Sequence, residues 1–503
     1  MHVGLSFVRH SGEQVMVVNQ YAVGSRRALR ASMYSIPLGV LASASGYFTN
    51  WIIGRVSPEL LGAYTGIITI AGVVVSVFVL GGTNVLVHFS AGLDDSGTRR
   101  FTSRYAFLCL LGATLGVSVV LLARGAGITL PSAVGNVPAL PLIAAVAGLT
   151  FSNIATGALL SQMRLVTVSI MGCGLSVMVL LSCGLLKLAG VLSVASVFWL
   201  VGGVYLGAGM VWWVVSRAPW PSIVTSLRRE WPDGFWQYVL PLHASTVVVF
   251  FAGTFDVFVV GSAGFAALGV YRVVVLARTL ACWLPNIVHP PFYPVLRKAV
   301  AANDRESAGA LVRLYGRLDA VSALFPAVVL IGFARLFVGT FGRGYSAAIP
   351  GVVLAIAFSG VFYPITLLGG TVLVAEGMMW QSLVINCSSL VVGWTLGALL
   401  FKGAGLVGVS LAVGVTAAVA GGMQLIVLRG VGWQLPLKWS FVSLVSLAVA
   451  GLVAVRLQNQ LTGALIALTV TTGLAFATGM LTLSDLQRIL HEIAARRGQK
   501  HGS

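Results

Sequence analysis

Long apolar stretches dominate this chain, and short connections with Gly, Pro or charged residues separate them. A helix that crosses the hydrocarbon core of a bilayer needs about 20 apolar residues. On this measure the pattern predicts about fourteen membrane spans and therefore an all-α polytopic membrane protein. We place the spans at 32–54, 62–89, 105–124, 139–160, 165–187, 191–215, 237–261, 265–292, 317–339, 348–374, 379–401, 405–428, 438–456 and 460–482.

The composition supports this fold class. Hydrophobic residues make up 58% of the 503 positions, charged residues only 9%, and the mean hydropathy is +0.96. A soluble globular chain carries roughly 25% charged residues. So few charges cannot cover the surface of a water-soluble protein of this length, and we expect an integral membrane protein whose first apolar run is an uncleaved anchor.

The net charge of +18 has a topological explanation. With the N-terminus inside, 22 of the 31 Lys and Arg residues fall on the inward side, 7 fall outside, and Arg272 and Arg278 lie within a span. Cytoplasmic loops collect Lys and Arg, so this asymmetry favours an even number of spans with both termini cytoplasmic. The basic residues do not cluster with aromatics on a soluble domain, so we expect no nucleic-acid partner. The five cysteines lie in apolar stretches without metal-ligand spacing, so we expect small buried side chains and no metal site.

The spans group into two halves. We divide the chain into a cytoplasmic N-terminal segment (1–31), an N-lobe of spans 1–6 (32–215), a cytoplasmic linker (216–236), a C-lobe of spans 7–12 (237–428), spans 13 and 14 (429–482), and a cytoplasmic tail (483–503). The Trp residues and the basic run of the linker are typical of an amphipathic segment. The tail over 484–499 predicts a short amphipathic helix that lies on the membrane surface.

A weak internal repeat relates the two lobes. Leu61-Gly62-Ala63-Tyr64 follows the first span, and Leu268-Gly269-Val270-Tyr271 follows the seventh. Ile36-Pro37-Leu38 and Leu240-Pro241-Leu242 begin those same two spans. The two copies are six spans apart, an even number, so both halves have the same orientation in the membrane. This predicts that an axis along the membrane normal relates the halves. Chance similarity between Gly- and Leu-rich segments is the alternative.

Several motifs in order resemble those of the polysaccharide transporter family, which contains O-antigen and exopolysaccharide flippases of the multidrug/oligosaccharidyl-lipid/polysaccharide exporter superfamily. The resemblance covers roughly 30–430, and each motif alone is weak. The motifs are residues 54–64, Gly81-Gly82-Thr83-Asn84, Leu240-Pro241-Leu242 with Asp256 and 268–271, residues 291–296, Phe341-Gly342 with Tyr345, Ala348 and Pro350, and Gly403-Ala404-Gly405 with Gly408. Arg343-Gly344 departs from the family, in which an acidic residue commonly precedes the Tyr.

This resemblance implies a two-lobed flippase with fourteen spans in a bacterial inner membrane. It would move an undecaprenyl-pyrophosphate-linked oligosaccharide from the cytoplasmic to the outer leaflet by alternating access, for cell-surface polysaccharide assembly. The implied partners are the lipid-linked oligosaccharide, the membrane lipids and polysaccharide-assembly proteins. We expect a monomer without a cofactor.

Three charged residues inside predicted spans are the main candidates for substrate binding. Asp256 lies in span seven, and Arg272 and Arg278 lie in span eight. A charge at mid-membrane costs about 2.5–3.5 kcal/mol on insertion scales, so such residues need a reason to be there. An Arg fork suits phosphate oxygens, which predicts a cavity role toward a pyrophosphate head group. The alternatives are an Asp256–Arg272 pair that joins two helices and a proton or sodium coupling site at Asp256.

Arg55, at the outer end of span one beside Glu59, is a further substrate-binding candidate or an interfacial anchor. Prolines crowd the end of span eight, where they free backbone carbonyls and bend the helix. We consider Pro285, Pro290 and Pro291 as a hinge at the cytoplasmic gate, with a simple span terminus as the alternative.

Two histidines and one glutamate receive a structural interpretation. His243 and His289 lie in apolar surroundings, so we expect them to be packing residues rather than ligands. Glu376 follows span ten without a nearby Lys or Arg in the sequence, and we expect a loop position.

Two other functions compete with the flippase. A drug/cation antiporter of the same superfamily usually has about twelve spans, so spans thirteen and fourteen favour the lipid-linked branch. A membrane enzyme such as a polysaccharide polymerase or ligase needs a sizeable outward loop or clustered acids and His. The predicted outward loops are short, so we do not expect an enzyme.

Overall fold

The computed structural model describes residues 37–90, 95–126, 136–162, 164–217, 231–289, 292–301, 303–435, 437–456 and 460–480. Those residues form helices and short connections, and none of them forms a strand. The helices are α1 (37–54), α2 (Pro58–Phe78), α3 (Gly82–Ser90), α4 (Asp95–Gly125), α5 (Ala139–Ser161), α6 (Leu165–Leu188), α7 (Val194–Ser216), α8 (Phe235–Gly261), α9 (Phe265–Ala281), α10 (Trp283–Val288), α11 (Phe292–Ala301), α12 (Arg305–Gly332), α13 (Ala334–Phe341), α14 (Ile349–Ala375), α15 (Met379–Gly430), α16 (Leu437–Arg456) and α17 (Gln460–Ala477). A 3₁₀ helix covers Arg343–Ala348. The predicted all-α membrane fold is confirmed.

The helix order gives fourteen crossings. In this count α2–α3 and α9–α10 are one crossing each, the two halves of α15 are two, and the short helices α11 and α13 are left out. Nine described helices are long and apolar enough to span a membrane, and α16 and α17 contain shorter apolar segments. The 52 residues of α15 would extend about 78 Å if straight, far beyond a hydrocarbon core of about 30 Å. The helix instead folds back at Gly405, which has φ 56° and ψ −134°. A Cβ on Gly408 would lie 2.2 Å from the carbonyl oxygen of Leu400, so the two halves are antiparallel neighbours.

Apart from α4, which begins at Asp95 rather than at 105, the helix boundaries match most of the predicted spans within a few residues, and three further spans differ. Span two is broken into α2 and α3 at Gly81 and Gly82, which both have positive φ. Span eight is broken into α9 and α10 at Cys282. Pro285 explains this second break, because it offers no N–H to the carbonyl of Ala281 and its ring crowds that carbonyl.

The third difference concerns span nine, for which 317–339 was too late. The helix begins at Arg305, one residue after Asp304, whose carboxylate accepts a hydrogen bond of 3.0 Å from the Ser307 N–H. It ends at Gly332, and α13 is a separate short helix. Four cysteines are buried as predicted, whereas Cys387 is exposed on α15. The predicted N-terminal segment and amphipathic tail, and most of the linker, lie outside the described residues.

The two lobes meet where α2 crosses α9. We call α1–α7 the N-lobe and α8–α15 the C-lobe. A Cβ on Gly62 would lie 1.8 Å from the Phe265 carbonyl oxygen, and one on Gly269 would lie 1.7 Å from the Pro58 carbonyl oxygen. These glycines are the equivalent positions of the two Leu-Gly-x-Tyr segments. The repeated motif is thus the point at which the two backbones touch.

We expect Gly269→Ala to destabilise the protein by about 1–3 kcal/mol or more, because the added methyl group overlaps backbone that cannot move alone. Thermal unfolding of the purified protein in detergent measures this effect. Gly174→Ala is the matched control, since a Cβ there meets nothing within 4 Å. Equal melting temperatures for the two variants would contradict the α2–α9 contact.

Cysteine labelling tests the predicted orientation. Ala189 and Lys402 are exposed at the end of the bundle that contains Gly405, and Glu306 and Met379 are exposed at the opposite end. In a Cys387→Ala background, we expect a membrane-impermeant thiol reagent to label Ala189→Cys and Lys402→Cys in intact cells. Glu306→Cys and Met379→Cys should react only after permeabilisation. Mixed labelling within either pair would mean that the span count between its members is wrong.

Candidate functional site

A cavity of about 470 Å³ lies within the C-lobe, between α8, α9, α10, α14 and both halves of α15. Among the described residues, its wall combines apolar side chains, Phe255 and Phe358 among them, with neutral hydrogen-bonding groups and a single charged side chain, Arg278. The neutral polar residues are Thr279, Asn286, Ser359, Tyr363, Thr366, Asn386, Ser389 and Thr416. Sequence reasoning had not singled out this set, although uncharged polar residues within apolar spans are the signal that points to it.

Arg278 is held beside the cavity by Asp256. Its Nη1 lies 3.1 Å from Asp256 Oδ2, and the side chain of Arg278 is 23% exposed while that of Asp256 is 0% exposed. Tyr271 donates its hydroxyl to the same Oδ2 at 2.8 Å, and the N–H of Val257 donates to Oδ1 at 2.9 Å. Asp256 is therefore fully partnered, whereas the partly exposed guanidinium keeps further N–H donors on the cavity side.

The partner of Asp256 is thus Arg278, so the predicted alternative of an Asp256–Arg272 pair was wrong. Arg272 instead donates from Nε to Oδ1 of Asn50 on α1, at 3.0 Å. Tyr64 and Tyr205 of the N-lobe interact electrostatically with the same guanidinium. Arg272 lies outside the cavity wall and joins the lobes. Only Arg278, of the two interior arginines, borders the cavity.

Hydrogen bonds close the lobe interface around the end of α1. Trp51 Nε1–H donates to the Thr340 carbonyl at 3.0 Å, and the Tyr345 hydroxyl donates to the Gly54 carbonyl at 2.9 Å. The Tyr47 and Thr340 hydroxyls are 3.1 Å apart. These bonds attach α1 to α13 and to the 3₁₀ helix. Arg55 is exposed just beyond α1 and does not line the cavity.

A second lobe contact lies at the opposite end of the bundle. His88 on α3 stacks on Tyr238 of α8 with ring centroids 3.8 Å apart. His243 places Nε2 3.0 Å from the Val77 carbonyl, and its Nδ1 accepts from the Gly81 N–H at 3.4 Å. Backbone groups freed by the α2–α3 break are thereby satisfied, as they must be away from water. His243 has the structural role that was predicted for it.

His289, in contrast, belongs to a polar cluster. Its Nδ1 lies 2.7 Å from Oδ2 of Asp319 on α12, and its Nε2 lies 2.7 Å from the Thr371 hydroxyl on α14. Asp319 is 0% exposed, and its Oδ1 has no hydrogen-bond partner among the described residues. The sequence interpretation of His289 as a packing residue was incomplete because it overlooked Asp319, an acidic residue that begins the apolar part of α12.

Glu376 also has a partner that is distant in sequence. Arg305 Nη1 lies 2.5 Å from Glu376 Oε1, and Trp433 Nε1–H donates to the same oxygen at 2.8 Å. The Arg305 guanidinium also lies 5.2 Å from the centre of the Trp433 ring. The start of α12 and the ends of α14 and α15 are therefore tied together.

The remaining site predictions have mixed outcomes. Pro285 lies within α10, next to the break in span eight, while Pro290 and Pro291 lie outside the described residues. Among the described residues, no three His, Cys, Asp or Glu side chains are grouped as ligands for a metal ion.

Comparisons with solved structures give the fold a context. The chain superimposes on the lipid II flippase MurJ in an inward closed conformation with a TM-score of 0.64 and 12% identity, covering 89% of this chain and 100% of that one. An inward-facing multidrug resistance MATE family transporter of the MOP superfamily gives 0.59 and 13%, covering 83% and 99%. A mutant form of the Vibrio cholerae MATE transporter VcmN gives 0.57 and 15%, covering 81% and 97%.

No protein-family model and no curated protein matches the sequence. Identities of 12–15% with near-complete coverage establish the architecture and nothing finer. The chain has the fold of the transporters of the MOP superfamily, the multidrug/oligosaccharidyl-lipid/polysaccharide exporters.

Proposed function

We propose that this protein is a flippase that moves a polyprenyl-pyrophosphate-linked oligosaccharide from the cytoplasmic to the outer leaflet of a bacterial inner membrane by alternating access. The observation that carries the proposal is the chemistry of the C-lobe cavity. Of the described residues that line it, Arg278 is the single cation, and it lies among neutral hydroxyl and amide groups. This combination suits a head group that has negative charge at one end and many hydroxyls at the other.

Arg278 is the group that we assign to the pyrophosphate. A guanidinium offers five N–H donors and binds phosphate oxygens in a bidentate fashion. Asp256 fixes its position and offsets the cost of a charge within the membrane. A phosphate that enters the cavity can bind the exposed part of the guanidinium without displacing Asp256.

The sugar is assigned to the neutral part of the wall. Asn, Ser, Thr and Tyr side chains both donate and accept hydrogen bonds, as sugar hydroxyls do. The volume of about 470 Å³ lies within the range of roughly 300–1,000 Å³ that is typical of small-molecule sites. The polyprenyl tail would stay among the membrane lipids. MurJ, which shares this fold, is described as a flippase of lipid II, and this supports a lipid-linked substrate.

The alternative is a multidrug/cation antiporter, since MATE transporters share the fold. The cavity argues against it, because a cationic drug would face Arg278, while the carboxylate of Asp256 is buried and already partnered. We also propose a transporter rather than a polymerase or ligase, because the similar solved structures are transporters.

Alternating access requires that the lobe contacts at the two ends of the bundle open in turn. At one end the contact includes the glycine crossing, the Arg272–Asn50 hydrogen bond and the bonds that attach α1 to α13 and the 3₁₀ helix. At the other end it consists of the His88–Tyr238 stack and the bonds of His243. We assign Arg272 to the first of these gates rather than to the head group.

We expect Arg278→Ala to lower export of lipid-linked sugar about tenfold or more, since hydrogen bonds to charged groups contribute about 1.5–3 kcal/mol each. The measurement is surface polymer in a host that lacks its own flippase, normalised to protein in the membrane. Arg55→Ala, outside the cavity, is the matched control and should export normally. Because the single variant leaves Asp256 buried without its counter-ion, the double variant Asp256→Asn/Arg278→Gln should be folded and equally inactive. Normal polymer from that double variant would overturn the role of Arg278.

We expect Arg272→Ala to reduce export while the protein stays in the membrane, because the bond that closes one gate is lost. If Arg272 acts through Asn50, then Asn50→Ala has the same effect and the double variant is no worse than either single one. The same surface-polymer assay measures all three variants. Additive losses would instead assign Arg272 to the substrate, and normal polymer from Arg272→Ala would contradict both roles.

A further inference from the structure

We propose that His289, Asp319 and Thr371 form a proton-binding site in the C-lobe, and that exchange of its proton drives the transport cycle. The second half of this statement rests on the proposed function, whereas the proton site itself does not. The site lies outside the wall of the cavity and involves none of the residues assigned to the substrate.

The hydrogen bonds determine where the protons are. The Thr371 hydroxyl donates to the Leu367 carbonyl at 3.0 Å, so its oxygen is left to accept from His289 Nε2–H at 2.7 Å. His289 Nδ1 then faces Asp319 Oδ2 at 2.7 Å. Two unprotonated acceptors would repel each other at that distance, so one proton must lie between them. The pair is neutral overall, whether that proton is on nitrogen or on oxygen.

Loss of that proton breaks the contact. The bond between the proton and Nδ1 or Oδ2 is cleaved, water takes up the proton, and the pair is left with a charge of −1. Two lone pairs then face each other across 2.7 Å in a site from which water is excluded. The carboxylate cannot compensate locally, because neither of its oxygens has another partner among the described residues. His289 and Asp319 must therefore separate.

Among the described side chains, no Lys or Arg forms an ion pair with Asp319, whose partner is His289. Tyr315 on α12 and Tyr363 on α14 are the other titratable side chains that interact with Asp319. From α11, the neutral ring of Phe292 lies 5.3 Å from the His289 ring. Arg317 lies two residues before Asp319, on a different face of α12. From α16, which packs on α12, the neutral Trp439 lies near Ala320.

The other buried carboxylate of the C-lobe lacks this property. Asp256 is paired with Arg278, and a guanidinium does not release its proton in proteins. Imidazole is the side chain that changes charge between about pH 5 and 8. The N-lobe offers no alternative, since the only acidic residues in α1–α7 are Glu59 and Asp95, each in the first turn of its helix.

The His289–Asp319 pair lies close in the chain both to a residue of the cavity wall and to the break between α9 and α10. Asn286 lies one turn before His289, lines the cavity and accepts a hydrogen bond from Tyr363. The six-residue helix α10 is separated from α9 by the break at Cys282. The His289–Asp319 bond fastens the end of this short helix to α12. Occupancy by the proton therefore decides whether α10 is anchored beneath the cavity.

Proton release by the full-length purified protein tests the site directly. Over a titration from acidic to alkaline pH we expect the wild type to release about one proton more than Asp319→Asn and His289→Gln. Infrared difference spectra over the same interval should show a carboxyl signal that is lost in Asp319→Asn. Glu376→Gln, which removes a different paired carboxylate, is the matched control and should release as many protons as the wild type. Equal release by Asp319→Asn and the wild type would overturn the proposal.

Spin-label distances test the coupling to motion. Labels at Ala189→Cys and Lys402→Cys, in the Cys387→Ala background, report the separation of the two lobes. We expect this distance to change with pH in the wild type. The Asn amide of Asp319→Asn can still donate to Nδ1 but has no proton to exchange, so this variant should keep the low-pH distance throughout. A pH-independent distance in the wild type would overturn the coupling.

Neither measurement uses a lipid-linked sugar, so the two proposals can fail separately. If the proton signal is absent while surface polymer still depends on Arg278, the proposal of a proton site fails and the proposal of a flippase stands. If the proton signal is present while surface polymer does not depend on Arg278, the protein binds a proton but transports a different substrate.

Discussion

The contact between α2 and α9 is the constraint on which the arrangement of the two lobes depends. In a bilayer, helices gain little from burying apolar surface against each other, so association relies on close packing and polar contacts. Gly62 and Gly269 bring backbone against backbone, with no room for a Cβ on either side. Each glycine is followed two residues later by a buried tyrosine. Tyr271 reaches Asp256, so the same motif copy that joins the lobes also helps to hold the charge pair beside the cavity.

The electrostatics of the C-lobe follow from the cost of burying charge. Asp256, Asp319 and Glu376 of the C-lobe each have a partner, but the partners differ in chemistry. Asp256 has a guanidinium that keeps its proton, and Glu376 at the edge of the bundle joins three helix ends. Asp319 has an imidazole as its partner, at 2.7 Å, and this is the group that we propose to exchange a proton. The need to neutralise a carboxylate is thus met by a fixed cation at Asp256, by a contact that joins helix ends at Glu376 and, in our proposal, by an exchangeable proton at Asp319.

The sequence was sufficient for the fold because the length of an apolar run is a local property. The turn at Gly405 and the start of α5 at Ala139 agree with the predicted boundaries for that reason. The partner of Asp256 was not predictable, since it depends on how α8 and α9 are rotated about their own axes, and tertiary packing sets that rotation. Asp319 was overlooked, although it lies within the predicted span nine, because a long charged segment precedes it; only the structure shows that it is buried against His289. The cavity was missed because its polar residues come from α9, α10, α14 and both halves of α15, and only the tertiary packing brings these segments together.

The repeat also explains where the two lobes can bend. Span two and span eight correspond to each other in the two halves, and both are broken: span two about five turns after Gly62 and span eight about four turns after Gly269. Positive φ values at Gly81 and Gly82 break the first, and Pro285 accounts for the second. In the N-lobe, His243 satisfies the backbone groups that the break frees, so that bend is held by a neutral side chain from α8. In the C-lobe, the segment after the break is held through His289, whose bond to Asp319 requires a proton. The bends in two corresponding spans are therefore each held by a histidine, and the bond of His289 is the one that we propose to depend on proton occupancy.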